Sequence, residues 1–287
     1  MPLDPSTPPR APRHPVVGLA RACHFQPTVA VTVVTTSLAV LSGRDALGCV
    51  TVAVAVLAGQ LSTGWSNDWL DAARDTAVGR VDKPIVSGAV DVATVRAAAL
   101  VALVACVPLS LLSGWRAAAV HLVAVGSAWA YNAGVKATVL SPLPYAVSFG
   151  LLPAFVTLGL PGHPWPRPAL VVATALLGIG AHFINTLPDR EDDARSGIVG
   201  LPQRISASAC LLVGVVLLSA CAVTIWSLGG GSPVARSLFL AACVGAAAMV
   251  VATTVRAAPR AAWTWTLVTV LGCLVLFAVS RPSLVHG

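Results

Sequence analysis

An all-helical, polytopic membrane protein is predicted by three features of this 287-residue chain: 56% of its residues are hydrophobic, only 10% are charged, and apolar runs near twenty residues recur along it. A helical run of about twenty apolar residues matches the ~30 Å hydrocarbon thickness of a bilayer, a length that a soluble core does not need. The mean hydropathy of +0.84 places the whole chain in that class, not one segment alone.

The opening segment, MPLDPSTPPRAPRHP, is proline-rich and has no apolar core, so residues 1–15 read as a flexible tail and not as a signal peptide. Nine spans follow, near 24–43, 46–66, 92–113, 116–134, 141–160, 169–187, 205–228, 236–255 and 261–281. The Gly, Pro and Ser residues inside them are common in membrane helices. With the N-terminus cytoplasmic, thirteen of the eighteen Lys and Arg residues fall on the inner side, and Arg44, Arg116, Arg167, Arg236 and Arg281 fall outside. The positive-inside rule therefore puts the N-terminus in the cytoplasm and the C-terminus outside. Residues 16–287 read as one transmembrane domain.

Seven cysteines are scattered singly through apolar context, without a C-x-x-C pair or a His/Cys ligand cluster, and read as small packing residues. The net charge of +7 does not point to nucleic acid, because the bases are spread one to four per connection and never form a run.

The acids are distributed differently. Eight of eleven occupy two short segments: Asp68, Asp71, Asp75 and Asp82 after the second span, and Asp189, Glu191, Asp192 and Asp193 after the sixth. Asn67, Asp71 and Asp75 have the same spacing as Asn185, Asp189 and Asp193, 118 residues later. Both segments follow even-numbered spans and so share the cytoplasmic side. A parallel repeat is expected, helices 1–4 matching helices 5–8, with helix 9 added.

Residues three, four and seven apart share a helix face, so Asp68, Asp71 and Asp75 are expected to point one way, as are Asn185, Asp189 and Asp193. Two carboxylate faces brought together in a poorly hydrated setting repel unless cations lie between them. All-oxygen donors select hard divalent ions such as Mg²⁺, an ion normally shared with substrate phosphates, so the pattern predicts a diphosphate bridged to the protein by metal. Arg80 and Lys83 in 79-GRVDKPIVSGAV-90, Lys136 in 131-YNAGVK-136, and Arg190, Arg195 and Arg204 add cations beside the acids. A leaving diphosphate needs such donors as charge grows on its bridging oxygen.

These residues resemble the UbiA-type intramembrane prenyltransferases. The segment 67-NDWLDAARD-75 is similar to that family's N-D-x-x-D-x-x-x-D motif and 189-DREDD-193 to its second aspartate-rich motif; 83-KPIVSG-88, Tyr131 to Lys136, and 150-GLLP-153 extend the likeness over all but the first fifteen residues. The resemblance implies nine transmembrane helices around a central cavity capped by cytoplasmic loops. It implies an allylic isoprenoid diphosphate held by two Mg²⁺ ions, with its tail in a lateral apolar opening, and ionisation to a carbocation that an electron-rich acceptor attacks. Carried over, Asn67, Asp68, Asp71 and Asp75 hold one metal, and Asp189 and Asp193, with Asn185, the other; Arg80, Lys83, Tyr131 and Lys136 steady the diphosphate. Two departures stand out. Asn185 replaces an acid found in some relatives, and Pro188 implies a kink or a fresh helical start before Asp189.

An aromatic or quinone-precursor acceptor is expected, with lipid around the chain. Arg21 and His182 are candidates for steering it, against plainer readings as a positive-inside anchor and an interhelical histidine. Most of the eight tryptophans read as interfacial anchors, with Trp65 and Trp69 flanking the first motif. A synthase that cyclises the diphosphate without an acceptor is the alternative. A transporter using the carboxylates as an ion path fits less well, because they sit at span ends beside bases.

Overall fold

The computed structural model describes residues 15–256 and 259–280. Among them the chain forms α1 (Pro15–Ala22), α2 (Phe25–Leu41), α3 (Ala46–Ala77), α4 (Val92–Leu111), α5 (Trp115–Ala133), α6 (Pro142–Gly150), α7 (Leu152–Thr157), α8 (Pro168–Asn185), α9 (Arg190–Arg195), α10 (Leu201–Arg204), α11 (Ala207–Ser227), α12 (Pro233–Val255) and α13 (Pro259–Ser280), with a 3-10 turn at Val135–Ala137. The expected tail, except its last residue, lies outside the described residues.

Each span read from the sequence overlaps one helix, except 141–160, which overlaps two. Among the described residues α3, α4, α8, α11 and α12 are long and apolar enough to cross a membrane, and α1 with α2 adds a sixth as a pair bent by 63°. The chain is a multi-pass membrane protein. Among the described residues, length and apolarity alone identify five or six crossings of the nine expected: α5 carries Arg116 and His121, α6 and α7 are short, and the described apolar stretch of α13 is Thr264–Ser280.

Two local features depart from the sequence reading. The expected single span at 141–160 is broken at Leu151, because Pro153 has no amide hydrogen for the carbonyl one turn back; α7 beyond the break is buried throughout. Helix α1 was not anticipated at all. It packs Leu19 and Ala22 on Trp65, Ile85, Val90 and Val95, and Trp65 Nε1 donates to the Leu19 carbonyl at 2.9 Å.

Helix α3 positions the first acidic segment. The Asp45 carboxylate caps it, accepting from Gly48 N at 2.7 Å. Its 32 residues span about 48 Å, well beyond the ~30 Å apolar layer, so its last turns carry residues 67–75 past the hydrocarbon as unbroken helix. Helix α8 is shorter and ends at Asn185; Pro188 falls in the following turn and a fresh helix, α9, begins at Arg190. Asn185 and Asp193 therefore do not share one continuous helical face. Helix α2 packs on α3, α3 on α4 and α4 on α5; in the second half α6 packs on α8, α8 on α11 and α11 on α12. A continuous apolar core runs through α2, α3, α5, α7, α8 and α11 to α13.

Candidate active site

A cavity of about 910 Å³ lies between α2, α3, α5, α6 and α8 and is bordered at its polar end by the loops after α3 and α8. Asn67, Asp71, Asp75, Arg80, Lys83, Tyr131, Lys136, Asn185, Asp189 and Asp193 all line it. Val31, Phe149, Ile184 and Leu187 contribute apolar wall.

Asp68 is the exception among the expected residues. Successive helical residues rotate by about 100°, and the cavity stripe of α3 is Asn67, Asp71 and Asp75, which turns Asp68 onto the flank facing α1. Its carboxylate, 3% exposed, accepts from Lys83 Nζ at 2.8 Å and lies 3.0 Å from His24 Nε2. Asp68 is not among the residues that line the cavity, and the groups it contacts are those two.

Both acidic segments end in the same backbone device. Gly79, with φ of 74°, terminates α3, and the Arg80 amide then donates to the Asp75 carbonyl at 2.9 Å. Gly197, with φ of 79°, terminates α9, and the Ile198 amide donates to the Asp193 carbonyl at 2.8 Å. Each is a helix end closed by a left-handed glycine, a conformation that a Cβ opposes. The first of these turns throws Arg80 back over the cavity.

Cations pair the acids across the polar end. The Lys136 ammonium, 5% exposed, donates to both oxygens of Asp71, at 2.6 and 2.5 Å, and Arg74 also pairs with Asp71. Arg80 lies 3.0 Å from Asp82, 3.3 Å from Asp189 and 3.6 Å from Asp192, so one guanidinium joins the two acidic segments. Gln203 Nε2 donates to Asp193 at 2.7 Å. Asn132, buried on α5, donates to the Thr63 carbonyl at 2.9 Å and to Ser66 Oγ at 2.8 Å, and accepts from Asn67 Nδ2 at 3.3 Å. That amide therefore holds α5 against α3 and fixes the Asn67 side chain.

The titratable loop groups follow from these contacts. Hydrogen bonding to Asp82, reinforced by Asp189 and Asp192, holds the Arg80 guanidinium above its ordinary value despite burial. Burial opposes the charge on Lys83, but Asp68 and Asp75 outweigh it and raise the group. For Lys136 burial wins over Asp71 and lowers it. Burial pushes Asp193 up to about 6, against the Gln203 hydrogen bond and with help from the Asp189 charge.

No three His, Cys, Asp or Glu side chains among the described residues converge into a preformed ion cage. The donor chemistry nevertheless fits a hard divalent cation. The Asp75 carboxylate faces the cavity with no hydrogen-bond or ion-pair partner among the described residues, and Asn67 spends its amide hydrogens on Asp71 and Asn132, which leaves its carbonyl oxygen to coordinate.

The model of the UbiA prenyltransferase family matches residues 28–277. The chain belongs to that family. Solved structures of low sequence identity share its fold. A UbiA homologue from Aeropyrum pernix K1, in its apo form, has a TM-score of 0.70 at 18% identity over 88% of this chain and 96% of that one. A UbiA homologue from Archaeoglobus fulgidus bound to DMAPP and Mg²⁺ scores 0.64 at 12% identity, over 91% and 99%. A structure of digeranylgeranylglyceryl phosphate synthase scores 0.63 at 15% identity, over 93% and 98%. None of the curated proteins compared with the chain matches it.

In this UbiA-family chain several site groups escaped the sequence reading. Asp192 lies inside 189-DREDD-193 and Asn132 inside 131-YNAGVK-136, so spacing alone had marked their neighbourhoods. Gln203 and His24 carry no motif; only the fold brings them in. Arg21 is exposed and donates to the Asp82 carbonyl at 3.4 Å, clasping α1 to the loop. His182 is buried off the cavity lining and pairs with Ser141 Oγ at 3.1 Å, as an interhelical histidine does. Trp65 and Trp69 pack beneath α1 and do not line the cavity.

Proposed function

We propose that this chain transfers a prenyl group from an allylic isoprenoid diphosphate to an aromatic or quinone-precursor acceptor, in a Mg²⁺-dependent reaction on the cytoplasmic side of the membrane. The observation that carries the reading is one cavity lined by residues of both acidic segments, by Arg80, Lys83 and Lys136, and by apolar side chains such as Val31 and Phe149. The Archaeoglobus homologue's DMAPP and Mg²⁺ support the same class of ligand.

Asn67, Asp71 and Asp75 on one wall, and Asn185, Asp189 and Asp193 on the other, would hold Mg²⁺, two ions in this reading. The metal neutralises the leaving diphosphate. Arg80, Lys83, Lys136 and the Tyr131 hydroxyl bind diphosphate oxygens and stabilise the charge that grows on the bridging oxygen as the carbon–oxygen bond breaks. Asn132 keeps Asn67 aimed at the cavity, and the apolar walls shield the prenyl chain from water.

The test is turnover of geranyl, farnesyl and geranylgeranyl diphosphates by the purified protein, with and without phenolic acids and naphthoates, products being read by mass spectrometry. Adducts that require both acceptor and Mg²⁺ are expected. Cyclic hydrocarbon formed without acceptor would establish the synthase alternative instead.

A further inference from the structure

We infer that His24 takes the proton released on prenyl transfer and that Asp68 is the positioning carboxylate that holds its ring; the inference rests on the prenyl-transfer reading above. His24 sits at the bend between α1 and α2 in the left-handed conformation, φ 54° and ψ 61°. Such a backbone is uncommon for a residue with a Cβ and persists where surrounding structure imposes it. Here the imposition comes from α3: a Cβ at Gly64 would collide with the Cys23 carbonyl, and that carbonyl accepts from Thr28 Oγ1 at 2.8 Å.

The bend delivers the imidazole to Asp68, with Nε2 3.0 Å from Oδ1, while the ring stays 40% exposed and lines the cavity. The same Asp68 oxygen also accepts from Lys83 Nζ at 2.8 Å, so the carboxylate serves both groups as an acceptor. Nε2 is thus the ring nitrogen that donates to the carboxylate, and Nδ1 has no partner among the described residues. A carboxylate-oriented imidazole whose second nitrogen is unpartnered, on a residue that lines the cavity, is the arrangement of a general base. Lys83, on the same carboxylate oxygen, places the ring beside the diphosphate-binding cations. His121 and His182 are buried away from the lining.

The step balances. The acceptor's electron pair forms the bond to the prenyl carbon, the carbon–oxygen bond breaks with its pair leaving on diphosphate, and the proton of the attacking phenol, or of the ring carbon after attack, moves to Nδ1. Asp68 pairs the imidazolium, which returns its proton to water at the exposed edge. The acceptor class implied is one that surrenders a proton, a phenol or hydroxynaphthoate.

The variants His24→Gly and His24→Asn both tolerate left-handed backbone, and neither can take the proton. With geranyl diphosphate, Mg²⁺ and hydroxynaphthoate, adduct formation should fall about a hundredfold in both. Diphosphate release should continue as geraniol, which also reports an intact fold, with KM for geranyl diphosphate unchanged and added imidazole restoring adduct in His24→Gly. Asp68→Asn should raise that KM as well, because Lys83 loses its anchor. Wild-type adduct rates in the His24 variants, or joint loss of diphosphate release and adduct without imidazole rescue, would overturn the inference. A wild type that releases no diphosphate would overturn the prenyl-transfer reading itself.

Discussion

The Arg80 guanidinium lies 3.3 Å from the Asp189 carboxylate, across a cavity whose two acidic walls come from segments 118 residues apart. Like charges gathered in one half-buried space need a counter-charge between them, and Arg80 provides it from the turn that ends α3. Arg80→Gln keeps a hydrogen-bonding side chain but removes the charge. It should lower kcat/KM for geranyl diphosphate about a hundredfold, or ~2.7 kcal/mol of transition-state stabilisation. Steady-state kinetics at saturating Mg²⁺ check this, and a loss under threefold would remove Arg80 from diphosphate binding.

Asp71 is bound from two sides, by Lys136 and by Arg74. Asp71→Asn should therefore do more than end turnover: it strands the Lys136 ammonium, 5% exposed, without its counter-charge. Breaking a buried pair by removing one partner costs about 3 kcal/mol or more. The thermal midpoint in detergent should fall in Asp71→Asn and recover in Asp71→Asn/Lys136→Met, while activity stays lost in both. A single variant as stable as wild type would show that the pair carries no such strain.

Much of this site was legible in the sequence because helical spacing is a rigid ruler. Asn67, Asp71 and Asp75 line one stripe of α3 as the periodicity requires, and Pro188 marks the fresh start of α9. The likeness of the two segments extends one step further than the acids, to Gly79 and Gly197, which close the two helix ends. A glycine four residues past an aspartate says little by itself; only the amides of Arg80 and Ile198 reveal its task. With the succession of packed helices, these ends support the matched-halves organisation that we propose. Asp68 shows the limit of the same ruler, since spacing cannot say which edge of a face meets the cavity. The contacts of His24 with Asp68 and of Gln203 with Asp193 depend on a backbone bend and on a loop's return, and neither has a sequence period.

Gly79 links backbone to charge placement. At φ 74° an added Cβ strains the turn that aims Arg80, although nothing lies within 4 Å of the new atom. Gly79→Ala should therefore cost about 1 to 2 kcal/mol through conformation alone. KM for geranyl diphosphate should rise several-fold, and Gly79→Asn, which tolerates this region, should do less harm than Ala. Equal effects of Ala and Asn would mean that the turn does not set the position of Arg80.

Asp193 gives the site a pH dependence. Burial raises its carboxyl to about 6 in the folded protein, above its ordinary value, so the ion-free fold favours the protonated form and loses that preference as pH rises through 6. Coordination needs the carboxylate, and the linkage to Mg²⁺ runs the other way. Affinity should be nearly constant above pH 6 and weaken by up to about tenfold for each unit below it, as one proton competes with the ion. Gln203 Nε2, 2.7 Å from the carboxylate, favours its ionised form, so Gln203→Leu should move the midpoint to higher pH. Asp193→Asn should weaken binding at every pH and erase the midpoint. Mn²⁺ titration by electron paramagnetic resonance, run on the three proteins from acid to neutral pH, measures each of these directly. A midpoint near 6 that survives in Asp193→Asn would assign the titration to another group.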